Sequence, residues 1–341
     1  MEKSQAENRL KEFCRVAPAM IMNEGEPWSR LAIMGPDDFG PGEREHIIND
    51  IINDARINSI TAKLEDPTLG IPSIAAKPAD FRVYGSYFWI LRFFADMGLN
   101  SDDLNIHSHL RQLALYQLPN GQFTADYRRP GNFPVASVCL TANLLQSLAV
   151  LQPDHGPSIL ASSNYLLTTQ RPDGGWHCDL ARQTGEKLEH TNSCPAANLA
   201  IIGALSRIPL RPRINLAPAI GHVLQFCRSS NWNGYPSCDF SGGQFYTRLR
   251  YPQHYHGFDL LNVVRTLSFF PYCNCPIFSG LVAQLISKWD GKGFLRSEKT
   301  IPEWKVFSFA KKGSPSCWLT AMTLKAVKRL RGRYPDYGRK K

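Results

Sequence analysis

Gln170-Arg-Pro-Asp-Gly-Gly-Trp176 decides the fold of this chain, because it returns in looser form three more times: Gln117-Leu-Pro-Asn-Gly-Gln-Phe123, Asn231-Trp-Asn-Gly-Tyr235 and Asp290-Gly-Lys-Gly-Phe294. The closing aromatics Phe123, Trp176, Tyr235 and Phe294 stand 53, 59 and 59 residues apart. A near-constant period marks an array of like units, each burying its apolar face against its neighbours. Around every turn lie two helical stretches, so the unit is a helix pair. The glycine permits the left-handed conformation that ends one helix. The aromatic two residues later can tuck back onto the helix ends, and the glutamine can bond exposed carbonyls.

Working outward, the helices of each pair differ in kind. Tyr84 to Met97, Val135 to Leu151, Pro195 to Ile208, Phe258 to Phe270 and Cys317 to Leu330 are apolar nearly all round, which suits burial on most sides. Leu104 to Gln117, Ser158 to Thr169, Ala217 to Arg228 and Pro276 to Lys288 are amphipathic. In the first of these, Leu110, Leu113 and Leu118 face one way and His107, Arg111 and Gln112 the other. Two layers account for the alternation: an inner set of helices shielded from water by an outer set. A one-sided solenoid would expose more polar residues on its concave face, so a closed α/α barrel is favoured.

The first 60 or so residues carry helical pattern from Asn8 to Val16 and from Glu43 to Ile57, where Ile47, Ile48, Ile51 and Ile52 recur at helical spacing. Pro67 to Pro78 reads as an irregular connection. At 341 residues the chain exceeds the usual single core, yet no Gly/Ser or Pro linker divides the array. The expectation is one domain over 1–341: N-terminal helices and connection (1–80), repeat core (84–330) and basic tail (331–341).

Hydrophobic residues make up 43% and charged residues 20%, ordinary for a folded globular chain. The net charge is +10, partly from Lys328-Arg329-Leu-Arg331-Gly-Arg333 and Arg339-Lys340-Lys341. Such a patch attracts anionic membrane surfaces, phosphorylated substrates or nucleic acid, the last a distant third; it also reads as a solvated last helix with a frayed tail. No stretch of about 18 apolar residues spans a bilayer, and the first residues lack the apolar core of a signal peptide. A cytoplasmic location is expected, with the nine cysteines as thiols or metal ligands rather than a disulfide framework.

Gln170 to Trp176 resembles the Gln-x(2-5)-Gly-x-Trp signature of the squalene and terpene cyclases, and Gln117 to Phe123 is a weaker copy. That family shares an α/α toroid with the β subunits of protein prenyltransferases, and the resemblance covers roughly residues 84 to 330. It implies an all-α toroid and an enzyme acting on an isoprenoid or similar apolar substrate in a central cavity. The signature is scaffold rather than site. The cyclases' proton donor is an Asp-x-Asp-Asp-Thr segment at the start of an inner helix. Here the inner helices start Ser137-Val-Cys139, Asn192-Ser-Cys194, His256-Gly-Phe-Asp259 and Pro315-Ser-Cys317, without it. The acid pairs Asp37-Asp38 and Asp102-Asp103 sit in turns and read as helix caps.

The period sets Cys139, Cys194, His256 and Cys317 at similar heights, with Cys139 and Cys194 each followed four residues later by an Asn, Asn143 and Asn198, within Ala-Asn-Leu. Prenyltransferase β subunits hold zinc with an Asp-x-Cys and a later Tyr-His; Asn192-Ser-Cys194 and Tyr255-His256 resemble these, with Asn in place of Asp. The resemblance and the ligand chemistry of thiolate and imidazole imply zinc on Cys178, Cys194 and His256, with His177 or His190 as substitutes for Cys178. The same cysteines read equally as small packing residues. Asp259 and His256 are the candidate catalytic groups, although an Asp at a helix start is also a cap. Tyr84, Tyr87, Phe88 and Phe258, with Trp89, would line a cavity for an apolar substrate, whose cations aromatic faces stabilise. Arg248, Arg250 and Arg265 are candidates for phosphate, or solvated charges. The alternative function is a non-catalytic toroid that binds a hydrophobic ligand or a protein partner.

Overall fold

The computed structural model describes residues 3–35, 38–64, 84–125, 136–154, 156–177, 193–208, 215–228, 246–253, 258–270 and 275–333. Among them the chain is all-α, as the period implies: helices joined by turns, with only isolated bridges such as Gln117–Phe123 and Arg296–Pro315. It divides into two compact units.

One unit comprises 58–243 and 255–258. Its helices are α5 (Tyr87–Met97), the one-turn α6 (Ser101–Leu104), α7 (His107–Ala114), α8 (Val138–Leu151), α9 (Pro157–Thr168), α10 (Pro195–Leu205) and α11 (Ala217–Arg228). Every residue of α5 and of α10 is buried. In α7 only Leu110 and Leu113 are, on the face the sequence assigns inward. α8 packs against α5, α9 and α10, and α10 packs against α11. The two kinds of helix are therefore a buried set, α5, α8 and α10, backed by a half-exposed set.

The buried set is not purely apolar. The Arg92 guanidinium bonds Asp96 at 3.2 Å and the Gln146 amide oxygen at 2.7 Å, while Gln146 donates to the Ala200 carbonyl of α10 at 2.8 Å. Arg207, just beyond α10, reaches the Gln146 carbonyl at 3.1 Å and Asp96 at 3.3 Å. Two guanidiniums face one carboxylate, and oxygens of Gln146 accept from both. Gly203 makes this approach possible: a Cβ there would stand 2.8 Å from the Gln146 amide oxygen. Breaking such a buried network from one side leaves an unpaired charge, which costs roughly 3 to 5 kcal/mol.

The other unit comprises 1–57, 244–254 and 259–341. It holds α1 (Lys3–Glu24), α2 (Pro27–Ile33), α3 (Glu43–Asn53), the start of α4 (Ala55–Thr61), α12 (Leu260–Leu267), α13 (Pro276–Ser287) and α14 (Cys317–Arg333). α14 packs against α1, α2 and α12, and α1 also packs against α13. The first and last helices thus share a core, a contact no local pattern announces. Phe13 meets Trp289 edge-on at 5.3 Å, and the Arg9 guanidinium donates to the Trp289 carbonyl.

Two N-terminal helices depart most from the sequence reading, and most of the expected ends shift by a few residues, as in α7 (His107–Ala114) and α12 (Leu260–Leu267). α1 runs well past Asn8 to Val16 in both directions and carries Pro18 inside it; packing against α13 and α14 outweighs the lost backbone bond. The helix expected over Glu43 to Ile57 breaks at Asp54, which is extended (φ −71°, ψ 125°). Its carboxylate accepts the Arg56 N–H at 2.8 Å and the guanidinium at 2.7 Å, restarting the helix as α4. Ile47, Ile48 and Ile51 are buried as expected, whereas Ile52 is exposed.

Candidate functional site

Three of the buried helices, α8, α10 and α14, begin with the same joint. The Phe123 N–H donates to Thr141 Oγ1 at 2.9 Å, the Trp176 N–H to Asn198 Oδ1 at 2.8 Å, and the Leu295 N–H to Thr320 Oγ1 at 2.9 Å. Thr141, Asn198 and Thr320 each lie four residues after the residue that starts their helix: Ser137, Cys194 and Ser316. Thr141 and Thr320 also donate back to the carbonyls of Ser137 and Ser316 at 3.0 and 2.8 Å. One hydroxyl thereby satisfies the turn and the helix entry together.

The glutamines act as their position implies. Gln117 Nε2 donates to the Ser158 carbonyl at 2.7 Å and to Ser162 Oγ at 2.8 Å, joining its turn to α9. Gln170 Nε2 donates to the Gly174 carbonyl at 2.8 Å, closing its own turn. Gly174 has φ 77°, and a Cβ there would lie 2.7 Å from Pro218 of α11. Trp176 is fully buried, its indole N–H on the Leu166 carbonyl at 2.7 Å. The copy Asn231 to Tyr235 lies outside the described residues.

In the fourth copy the expected aromatic is displaced. Phe294 is half-buried, and the adjacent Leu295 occupies the buried slot. The aromatic bulk comes from Trp289, before the glycines, whose indole N–H donates to the Gly293 carbonyl at 2.8 Å.

The same caps correct the expected match of the cysteines. Ser137 accepts the Leu140 N–H at 3.0 Å, Asp259 the Asn262 N–H at 2.9 Å and Ser316 the Leu319 N–H at 3.1 Å. Cys194 is the cap residue of α10, without a side-chain cap bond, and its N–H donates to the Trp176 carbonyl at 2.7 Å. Cys194 therefore corresponds to Ser137, whereas Cys139 is the second residue of its helix and Cys317 the first. At 100° per residue, those three side chains leave their helices in different directions.

Cys194 is fully buried. Its expected zinc partners, Cys178 and His256, lie outside the described residues, as does His190. Among the described residues no three His, Cys, Asp or Glu side chains come together as a metal needs. Cys317 is held as a thiol at about 12, by burial first and the Glu26 carboxylate second.

Asp259 is fully buried, with its carboxylate on the first turn of α12. Its carboxylate accepts the Asn262 N–H, the bond of a helix cap. Of the expected aromatic wall, Tyr87, Phe88 and Phe258 are buried and Tyr84 is half-buried. Phe258 meets Phe226 of α11 edge-on at 5.3 Å, Tyr87 stacks on His109 of α7 at 6.5 Å, and Trp89 lies against Phe88 at 4.8 Å and Tyr84 at 5.4 Å. Tyr87 and Phe258 thus touch side chains of the half-exposed helices. Arg250 and Arg265 are buried, so neither is a solvated charge; Arg248 is exposed. Asp103 belongs to a capping box with Asn100, both bonds 2.9 Å.

No signal in the sequence pointed to the Ser86 and Tyr87 hydroxyls, which are buried without hydrogen-bond partners among the described residues. No helix among the described residues is long and apolar enough to cross a membrane.

No family model matches the chain. No curated protein matches it by sequence. Among solved structures it is similar to apo and ligand-bound forms of a type II terpene cyclase, MstE from Scytonema. A variant without ligand is 13% identical over 97% of this chain and 100% of that one, with a TM-score of 0.46. A variant holding geranylgeranyl dihydroxybenzoate as substrate is 14% identical over 97% and 99%, with a TM-score of 0.45. A third, holding merosterolic acid A as product, is 12% identical over 97% and 100%, also at 0.45. The likeness is weak, and the function proposed below does not rest on it.

Proposed function

We propose that the chain is an enzyme of the terpene-cyclase and prenyltransferase type, an α/α toroid acting on an isoprenoid or similar apolar substrate. The observation that carries this reading is the joint shared by the repeats. The Gln-Gly-aromatic signature resembles that of the cyclases: Gln170 closes the turn on the Gly174 carbonyl, the Trp176 indole bonds the Leu166 carbonyl of α9, and the Trp176 backbone N–H ties the turn to Asn198 of the buried α10. The buried α5 also supplies aromatic bulk at Tyr87, Phe88 and Trp89, and Phe258, just before the cap of α12, is buried as well.

The proposed chemistry is zinc-assisted through Cys178, Cys194 and His256, or acid-assisted through His256 and Asp259. Bound zinc would act as a Lewis acid or hold a nucleophile; Cys194 would offer a thiolate from the start of α10. One specific observation favours the second reading, a non-catalytic toroid that binds an apolar ligand or a protein: the Asp259 carboxylate is engaged as the cap of α12, accepting the Asn262 N–H.

The test is incubation of the purified protein with linear isoprenoid alcohols, diphosphates and hydrocarbons, with product analysis by mass spectrometry and zinc content measured in parallel. Cyclised or transferred products that vanish in His256→Ala support the enzyme. Saturable binding without turnover supports the second reading. Neither binding nor turnover overturns both.

A further inference from the structure

Ser86 is the cap residue of α5, where a serine hydroxyl ordinarily accepts the N–H three residues on. Here it makes no such bond: the Trp89 N–H goes to the Ser86 backbone carbonyl at 3.1 Å, and the hydroxyl is buried without a partner. The hydroxyl of the next residue, Tyr87, is also buried without a partner. The two residues are 3% and 1% exposed. Buried hydroxyls without partners destabilise a fold, and native structures keep few of them.

Several features point to what these hydroxyls would bind. Both are donors, and burial pushes the Tyr87 phenol far above its usual range, so it keeps its proton. α5 is 11 residues long and has no acidic residue in its first turn, so the positive end of its dipole is not opposed there by a carboxylate of its own. Two O–H donors at the positive end of a helix call for an acceptor that carries negative charge. Around the same helix start, Tyr84 lies against Trp89 and His109 stacks on Tyr87, and both Tyr84 and His109 are half-buried.

We propose that Ser86 and Tyr87 form a binding site for an oxyanion, the oxygens of a carboxylate or phosphate group, at the start of α5. The site is independent of the isoprenoid reading and needs no turnover. Thermal unfolding of the full chain at pH 8 is followed in phosphate, in acetate and in chloride of equal ionic strength. The expected result is a midpoint that rises with phosphate or acetate concentration beyond the chloride control; which anion acts separates the phosphate source from the carboxylate one. Ser86→Ala and Tyr87→Phe should each weaken the apparent affinity about tenfold, as for loss of one hydrogen bond to a charged group. In chloride both variants should be at least as stable as the native chain. No anion-specific rise, an undiminished rise in the double variant, or variants less stable in chloride would each overturn the site.

Discussion

The turn ending at Trp176 and the turn ending at Leu295 make the same joint from different residues. In the first, the tryptophan follows the glycines and sends its indole N–H back to the Leu166 carbonyl. In the second, Trp289 precedes the glycines and sends its indole N–H forward to the Gly293 carbonyl. What stays constant is the backbone N–H entering the fourth position of the buried helix, on Asn198 in one case and Thr320 in the other. The hydrogen-bond register is therefore the invariant of the repeat. The aromatic fills a space that either flank of the turn can reach.

The strongest way to break this comparison is truncation of the large rings. Trp176→Ala and Trp289→Ala should each destabilise their fold by about 3 to 5 kcal/mol, as for a buried aromatic, read by denaturant unfolding. Phe294→Ala, at the aromatic position of the sequence motif, should cost less than about 1.5 kcal/mol because the ring is only half-buried. Equal losses for Phe294 and Trp289 would refute the displacement.

The invariant bond offers a smaller effect. Thr141→Val and Thr320→Val keep the shape but remove the acceptor for a buried N–H, a loss of about 1 to 3 kcal/mol each. A null result at both positions would leave the register without energetic meaning.

A thiol measurement sharpens the zinc proposal. Cys194, Cys227 and Cys317 are buried, whereas Cys14, Cys139 and Cys275 are half-buried. In the folded chain the second group should be alkylated first. Slow alkylation of Cys194 follows from burial alone, so zinc is indicated only if a chelator makes that residue faster; equal rates with and without chelator remove it as a ligand.

The smallest expected effect distinguishes the two turns by pH. Burial pushes the Asp173 carboxyl up, but the Gly175 N–H, the Ser193 hydroxyl, Arg171 and His222 together hold it below its usual range. A group whose folded value is lowered contributes stability above its unfolded value, near 4, and loses it as pH falls through the folded one. The stability difference between the native chain and Asp173→Asn should therefore be present at pH 6 and shrink below about pH 4. An unchanged difference down to pH 2 would contradict the direction. The turn at 290–295 has no such clasp: Asp290 accepts only the Lys292 N–H of its own loop among the bonds seen there.

Helix pairing, the buried and half-exposed sets and the structural role of Gln117, Gln170 and Trp176 were legible in the sequence. Each depends on residues close together in the chain, where a turn residue, a cap and a 3.6-residue apolar period act locally. The candidate site was legible only as residue types. Counting along the sequence paired Cys139 with Cys194, and only the caps showed that Ser137 is the true counterpart, because helix starts slip by one or two residues without disturbing the apolar period.

Tertiary structure alone decided the rest. Packing of α1 and α2 on α14 joins the two ends of the chain, the Arg92, Asp96, Gln146 and Arg207 network crosses α5, α8 and α10, and the Ser86 and Tyr87 hydroxyls are shut away from partners. Such features depend on which distant side chains a fold brings within about 3 Å. A charge pattern such as Arg250 and Arg265 reads as solvated until the fold buries it. The sequence determined what each segment could form; the packing determined which polar groups lost their water and which found another partner.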